Sequence, residues 1–388
     1  MITRPILGLL ILAASATAAD STAARLEAVF SPHSDARSPG LAVLVRQNGR
    51  TIFERGYGVR DLRTRMPIDA RTDFRLASFT KQFTAMATML LVHDGKLRYD
   101  ETLTDVFPGF PEYGRSITVR HLLTHTSGLP DYEDLMEASE KSGGPGWTAT
   151  RQIRDAEILT LLEGQARGKF PAGTSWAYSN SGYVVLGLIV AKASGEPFGQ
   201  FLDERIFQPL AMRHTLVFVN GENIVSNRAY GHIQERGRFV EADQSATSAT
   251  EGDGGIYSNL EDLAKWDEAL RTGRLLPDEE MRAALVPVKL ADGSAPTWPR
   301  EPGGDNLAPG QPVAYGFGWF LDRYAGRTRM WHSGSTRGFG TVIERFVDEN
   351  VSIVVLANRT DLDLPALALK AADIVAEKTE PLSGRLNP

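Results

Sequence analysis

The chain has 388 residues, 42% hydrophobic and 23% charged, which excludes extended disorder and leaves room for a large core or for two lobes sharing a cleft. Its 42 basic and 48 acidic residues give a net charge of −6, so the basic footprint of a nucleic-acid binder is missing and no such partner is expected. There is no cysteine, which excludes disulfides, a thiol nucleophile and a thiolate metal site.

Taken in chain order, Arg4, the apolar run from Ile6 to Ala14 and the small-x-small Ala16-Thr17-Ala18 read as a secretory signal covering residues 1–19. An uncleaved anchor is the alternative, but the run falls short of the roughly 20 apolar residues of a spanning helix. The mature chain, residues 20–388, is therefore expected to be secreted, periplasmic in a Gram-negative bacterium, with no stable membrane insertion.

Ala23 to Phe30 begins an amphipathic helix. Leu41 to Gln47 and Arg50 to Gly56 are β-rich runs separated by Asn48-Gly49, a strong hairpin signal because both residues tolerate positive φ. Helices are predicted over Phe79 to Asp94, Val119 to Leu123, Asp155 to Leu162, Tyr183 to Ala193, Phe198 to Ile206 and Leu260 to Arg271. The segments Asp131 to Gly146 and Asp292 to Gln311 read as Gly/Pro-rich loops. Strands return at Arg327 to Trp331, Gly338 to Val347 and Val351 to Ala357, followed by a helix over Leu364 to Lys378. Strands at both ends and helices between them imply one α/β lobe made from both termini with a helical lobe inserted, and a cleft between such lobes is a common active site.

Ser78-Phe-Thr-Lys81 occurs once, at the start of the helix at Phe79. Residues three apart share a helix face, so Ser78 Oγ and Lys81 Nζ are expected to meet in one pocket. A serine hydroxyl needs a base to become a nucleophile, and a lysine near other cations can share that role. The bland alternative is a capping serine with a solvated lysine. Tyr178-Ser-Asn180 follows the turn Phe170-Pro-Ala-Gly-Thr174 and precedes a helix; it offers a phenol as proton acceptor and an amide to orient a substrate. The rival Tyr257-Ser-Asn259 reads instead as a loop tyrosine before a helix capped by Ser258 or Asn259. His332-Ser333-Gly334, followed by Ser335, places a donor at a strand edge and backbone N–H groups suited to an oxyanion hole or a carboxylate. The alternative for His332 is a hydrogen-bonded structural histidine.

Ser78-x-x-Lys81, Tyr178-x-Asn180 and His332-Ser-Gly334, in that order, resemble the serine β-lactamase and penicillin-binding-protein superfamily. The branch they resemble holds class C β-lactamases, D-stereospecific peptidases and β-lactamase-like esterases. His121-Leu-Leu-Thr-His-Thr-Ser-Gly-Leu-Pro130 and Gly252-Asp-Gly-Gly255 add to the likeness. The resemblance implies an α+β fold: an antiparallel sheet built from both chain termini and flanked by helices, with an inserted mostly helical lobe. It divides the chain at about 20–80 and 312–388 for the α/β lobe and about 81–311 for the helical lobe. It implies an acyl-enzyme on Ser78, proton handling by Lys81 and Tyr178, substrate orientation by Asn180, and an oxyanion held by the N–H groups of Ser78 and Ser335, with no cofactor and no metal. Lactamases of this branch carry lysine where this chain has His332, a weaker anchor for a carboxylate. A small-molecule or peptide substrate is therefore expected, with a short-acyl ester or D-amino-acid peptide ranked above a β-lactam. Two rivals are a zinc hydrolase using His121 and His125, which lacks the glutamate of His-Glu-x-x-His, and a non-catalytic cell-wall peptide binder. Oligomeric state is not legible in the chain.

Overall fold

Asn48 and Gly49 both take positive φ, 49° and 74°, and join strands Leu41–Gln47 and Arg50–Tyr57 by a two-residue turn in which Gln47 faces Arg50. That hairpin is one end of an antiparallel sheet. The computed structural model describes residues 21–33, 35–300 and 308–377; the segment read as a secretory signal lies outside them. Within these residues the strand order is Arg50–Tyr57, Leu41–Gln47, Val351–Ala357, Phe339–Phe346, Arg327–Thr336 and Phe320–Tyr324. The first strands of the chain thus pair with its last, Leu41 opposite Ala357 and Gln47 opposite Val351.

Strand Leu41–Gln47 is buried on both faces, and its period-two alternation feeds two cores. Val43 and Val45 join Ile353, Val355, Leu26 and Leu367 beneath helices at 21–30 and Leu364–Ala376. Ala42 and Leu44 join Val354, Leu356 and the helices of the middle of the chain. Each such aliphatic side chain contributes about 1.5–3 kcal/mol when fully buried. The sheet is therefore rigidly sandwiched, and its strand Arg327–Thr336 makes a firm wall for the cleft.

Central in the second core is helix Lys81–His93, whose residues from Lys81 to Leu91 are all buried. Helix Asn180–Ser194 packs against it, started by the Ser179 hydroxyl accepting from Gly182 N–H and stopped by Gly195 at φ 81°. A helix and several short strands depart from the sequence reading. Tyr132–Lys141 is a helix inside the segment read as a loop, capped by Asp131 and anchored by Tyr132, Leu135 and Met136, an i, i+3, i+4 set that covers little more than one turn. Small strands also lie in the middle of the chain: Phe74–Arg75 and Leu216–Val217 flank Ile256–Ser258, and His232–Glu235 pairs with Arg238–Glu241. Strands of two to four residues are too short for alternation to register.

Candidate active site

A single 3-10 turn, Ala77–Thr80, lies between the short strand Phe74–Arg75 and helix Lys81–His93. Residues i and i+3 eclipse in a 3-10 turn, which brings Ser78 and Lys81 closer than an α-helix would. Ala77 sits at φ 50°, an uncommon conformation for a side chain with a Cβ. It is held there because its neighbours are pinned: Leu76 N–H donates to Ile256 O at 2.8 Å, and Thr341 Oγ1 donates to Leu76 O at 2.7 Å. The result is a sharp turn that presents the half-exposed Ser78 at the cleft floor.

Lys81 is fully buried, and its ammonium donates to Ser78 Oγ at 2.9 Å, Asn180 Oδ1 at 2.8 Å and Asp253 O at 3.0 Å. A buried ammonium without such partners would be costly; here all three N–H bonds are used. The nitrogen lies 4.9 Å from the centre of the Tyr178 ring. Asn180 heads the helix Asn180–Ser194, so the amide is fixed by a rigid element. The structure thus brings Ser78, Lys81, Tyr178 and Asn180 together from segments about 100 residues apart in sequence.

The strand Arg327–Thr336 closes one side. Gly334 packs on the nucleophile turn, and Ser335 lines the cleft with Ser78 and Asn180. Ser333 lends its carbonyl to its neighbour: His332 Nδ1–H donates to Ser333 O at 2.6 Å. His332 Nε2 is 3.1 Å from the buried Tyr315 hydroxyl. Burial, with the Lys81 charge nearby, pushes the His332 pKa down to about 3, so the ring is neutral and Nε2 accepts from Tyr315. This corrects the expectation of a substrate-facing donor at His332: both ring nitrogens are already satisfied inside the protein.

His332 carries a pH prediction. Its folded pKa is depressed below the unfolded value near 6.5, so the folded form takes up the proton less readily. Its stabilising contribution is complete above about pH 6.5 and is lost as pH falls towards 3, at about 1.4 kcal/mol per unit. Urea unfolding at pH 7 and pH 5 should show this loss in the wild type. His332→Gln should lose about 2 kcal/mol less over the same interval. An equal loss in both proteins would remove His332 from the acid response.

Other features were not evident in the chain. Asp253 lines the cleft beside Ser78, and its Oδ2 accepts from the Tyr132 hydroxyl at 3.3 Å. Arg75 lines it too, donating through Nε to Gly254 O and through Nη2 to Ser248 O. Gly252-Asp-Gly-Gly255, which added to the family likeness, supplies the Asp253 carbonyl that Lys81 donates to. Tyr315 had no motif around it to mark it. The rival Tyr257 is on strand Ile256–Ser258, wholly buried, and Asn259 caps the following helix by accepting from Asp262 N–H at 3.0 Å. The two histidines of the zinc alternative each spend Nδ1 on a backbone N–H, His121 on Thr118 at 3.2 Å and His125 on Ser179 at 3.0 Å.

Comparison with known proteins finds relatives over most of the chain. The family model described as Beta-lactamase matches residues 25–376. Penicillin-binding protein 4* of Bacillus subtilis is 30% identical over 346 residues, 85% of this chain and 71% of its own. A D-aminopeptidase of Gluconobacter oxydans is 28% identical over 361 residues, 92% of this chain and 62% of its own. The fold is shared with the D-amino acid amidase of Ochrobactrum anthropi complexed with L-phenylalanine: TM-score 0.75, 24% identity, 93% of this chain and 100% of that one.

Proposed function

Since the chain belongs to the beta-lactamase family as one of its serine hydrolases, we propose that it forms an acyl-enzyme on Ser78 and cleaves a D-amino-acid amide or peptide, or a short-acyl ester. The observation that carries this reading is the buried Lys81 Nζ within hydrogen-bond distance of both Ser78 Oγ and Asn180 Oδ1. Ser78 Oγ attacks the carbonyl carbon as its proton passes to the Tyr178–Lys81 pair. The developing oxyanion is held by the backbone N–H groups of Ser78 and Ser335, and Lys81 offsets the negative charge on Oγ. The carbonyl-to-nitrogen or carbonyl-to-oxygen bond then breaks, the leaving group taking the proton. Water repeats the attack and frees Ser78. Asn180 orients the substrate amide or ester.

His332 supports this choice of substrate class. A neutral ring whose nitrogens are both occupied offers no charge to a C-terminal carboxylate, whereas an ammonium there would. This supports substrates recognised at the acyl side over carboxypeptidase or lactamase substrates. The leader-like residues 1–19 support export of the mature chain.

A panel tests the reading: a D-alanine amide, a p-nitrophenyl acetate ester and an acyl-D-Ala-D-Ala peptide, with a penicillin followed by intact mass. The amide or the ester should be turned over, with the carboxylate-ended peptide about tenfold to a hundredfold poorer in kcat/KM, the worth of one charged hydrogen bond. Preference for the carboxylate-ended peptide, or rapid decay of a penicillin adduct, would move the protein to the carboxypeptidases or lactamases. Failure of a fluorophosphonate to label the folded protein would favour a non-catalytic binder.

A further inference from the structure

The proposed mechanism leaves His125 without a role, although it is wholly buried within the active-site wall. It lies at φ 59°, a backbone conformation that L side chains adopt rarely and at some cost. Its backbone carbonyl accepts from Ala177 N–H at 3.0 Å, and its Nδ1 accepts from Ser179 N–H at 3.0 Å. One residue therefore holds the chain on each side of Tyr178. Its ring also packs on the Tyr178 ring, centroids 4.4 Å apart with 35° between the planes. The imidazole also lies 4.5 Å from the Tyr315 ring and 5.1 Å from the Tyr183 ring, centroid to centroid, so it is packed among aromatic rings.

We propose that His125 is a positioning residue for Tyr178, fixing the backbone on both sides of it and the plane of its ring, so that the phenol is aimed at Lys81 and Ser78. The inference rests on the reading that Tyr178 handles the Ser78 proton. Histidine suits the position for three reasons. Its acceptor Nδ1 is close enough to the main chain to reach Ser179 N–H. Its flat ring gives the Tyr178 face a partner. It also stays uncharged: burial, and the nearby Lys81 cation, push its pKa well below the usual imidazole range. Because Nδ1 accepts from an amide, the proton is on Nε2, which finds no hydrogen-bond acceptor among the described residues and lies among aromatic rings. An unmet buried donor costs stability, which a residue kept only for packing would not need to bear. A phenylalanine would lack that donor but would leave Ser179 N–H unmet, so the position calls for a ring that also carries an acceptor.

The experiment compares His125→Asn, His125→Phe and Tyr178→Phe with wild type, using the best substrate of the panel. The asparagine keeps an acceptor for Ser179 N–H and suits the left-handed backbone, but loses the ring. The phenylalanine keeps the ring and orphans the N–H. Tyr178→Phe should lower kcat by about 10²-fold or more, as loss of a proton-transfer group does. His125→Phe should lower kcat by about tenfold or more with KM within about twofold, the signature of an interaction made in the transition state. The kcat–pH profile of both His125 variants should be displaced from the wild-type profile, and His125→Asn should recover part of the kcat lost in His125→Phe. If His125→Phe does not fold, the pH profile and kcat of His125→Asn decide the matter. Wild-type kcat and pH profile in the His125 variants beside an impaired Tyr178→Phe would overturn the inference. So would a lower unfolding midpoint with an unmoved pH profile, which marks a purely structural residue. An unimpaired Tyr178→Phe would instead overturn the reading of Tyr178, and the positioning role with it.

Discussion

Ser78→Ala is expected to lower kcat by about 10⁶-fold, the scale of removing a nucleophile from a serine hydrolase. The fold should be kept, at some cost in stability. Ser78 is half-exposed, and its hydroxyl takes one of the three Lys81 hydrogen bonds, leaving Asn180 Oδ1 and Asp253 O to hold the ammonium. The unfolding free energy should fall by about 1–3 kcal/mol, the cost of one lost hydrogen bond to a buried ammonium, with the transition still cooperative. The measurements are turnover of the best panel substrate and intact mass after a fluorophosphonate. Label retained in the variant, or turnover above about one per cent of wild type, would place the nucleophile elsewhere.

Gly334→Ala should destroy the site by a different route. A Cβ on Gly334 would lie 2.3 Å from Leu76 O, 2.5 Å from Thr341 Oγ1 and 3.0 Å from Ser78 N. Two of those atoms are backbone of the nucleophile turn, which its other hydrogen bonds do not allow to retreat. The added methyl must push strand Arg327–Thr336 off that turn and break the 2.7 Å bond from Thr341 Oγ1 to Leu76 O. Overpacking with a lost buried hydrogen bond should cost about 3 kcal/mol or more. The separation of Ser78 from Ser335 should also lower kcat/KM by about 10²-fold or more, since an oxyanion hole depends on its donor spacing. Gly109→Ala is the control: nothing lies within 4 Å of a Cβ there and its φ is unremarkable, so stability should change by under about 0.5 kcal/mol. Gly334→Ala that keeps wild-type stability and rate would show that the strand is free to shift.

The two glycine variants separate what is local from what is not. Nothing in His332-Ser-Gly334 says that Gly334 must touch Leu76, because the two are 258 positions apart. The same holds for His332. A histidine in a strand has the same letter whether it faces a substrate or a tyrosine; only burial against Tyr315 and Lys81 makes it neutral and occupied. The segment from Tyr132 to Lys141 failed for a related reason: the apolar set Tyr132, Leu135 and Met136 spans little more than one turn, and packing against the rest of the protein stabilises so short a helix.

By itself the sequence determined the elements whose causes are local. Asn48-Gly49 set the hairpin through positive φ, the apolar β-rich runs Leu41–Gln47 and Val351–Ala357 set buried strands, and Asn259 set a helix start through its own side-chain cap. The i, i+3 spacing of Ser78 and Lys81 was local too. Tertiary structure alone decided the partners of Lys81, the occupied ring of His332, the clamp of His125 on Tyr178 and the space denied to Gly334. Each depends on desolvation and on contacts between segments tens to hundreds of residues apart. Such quantities exist only once the chain has excluded water and brought those segments within a few ångströms.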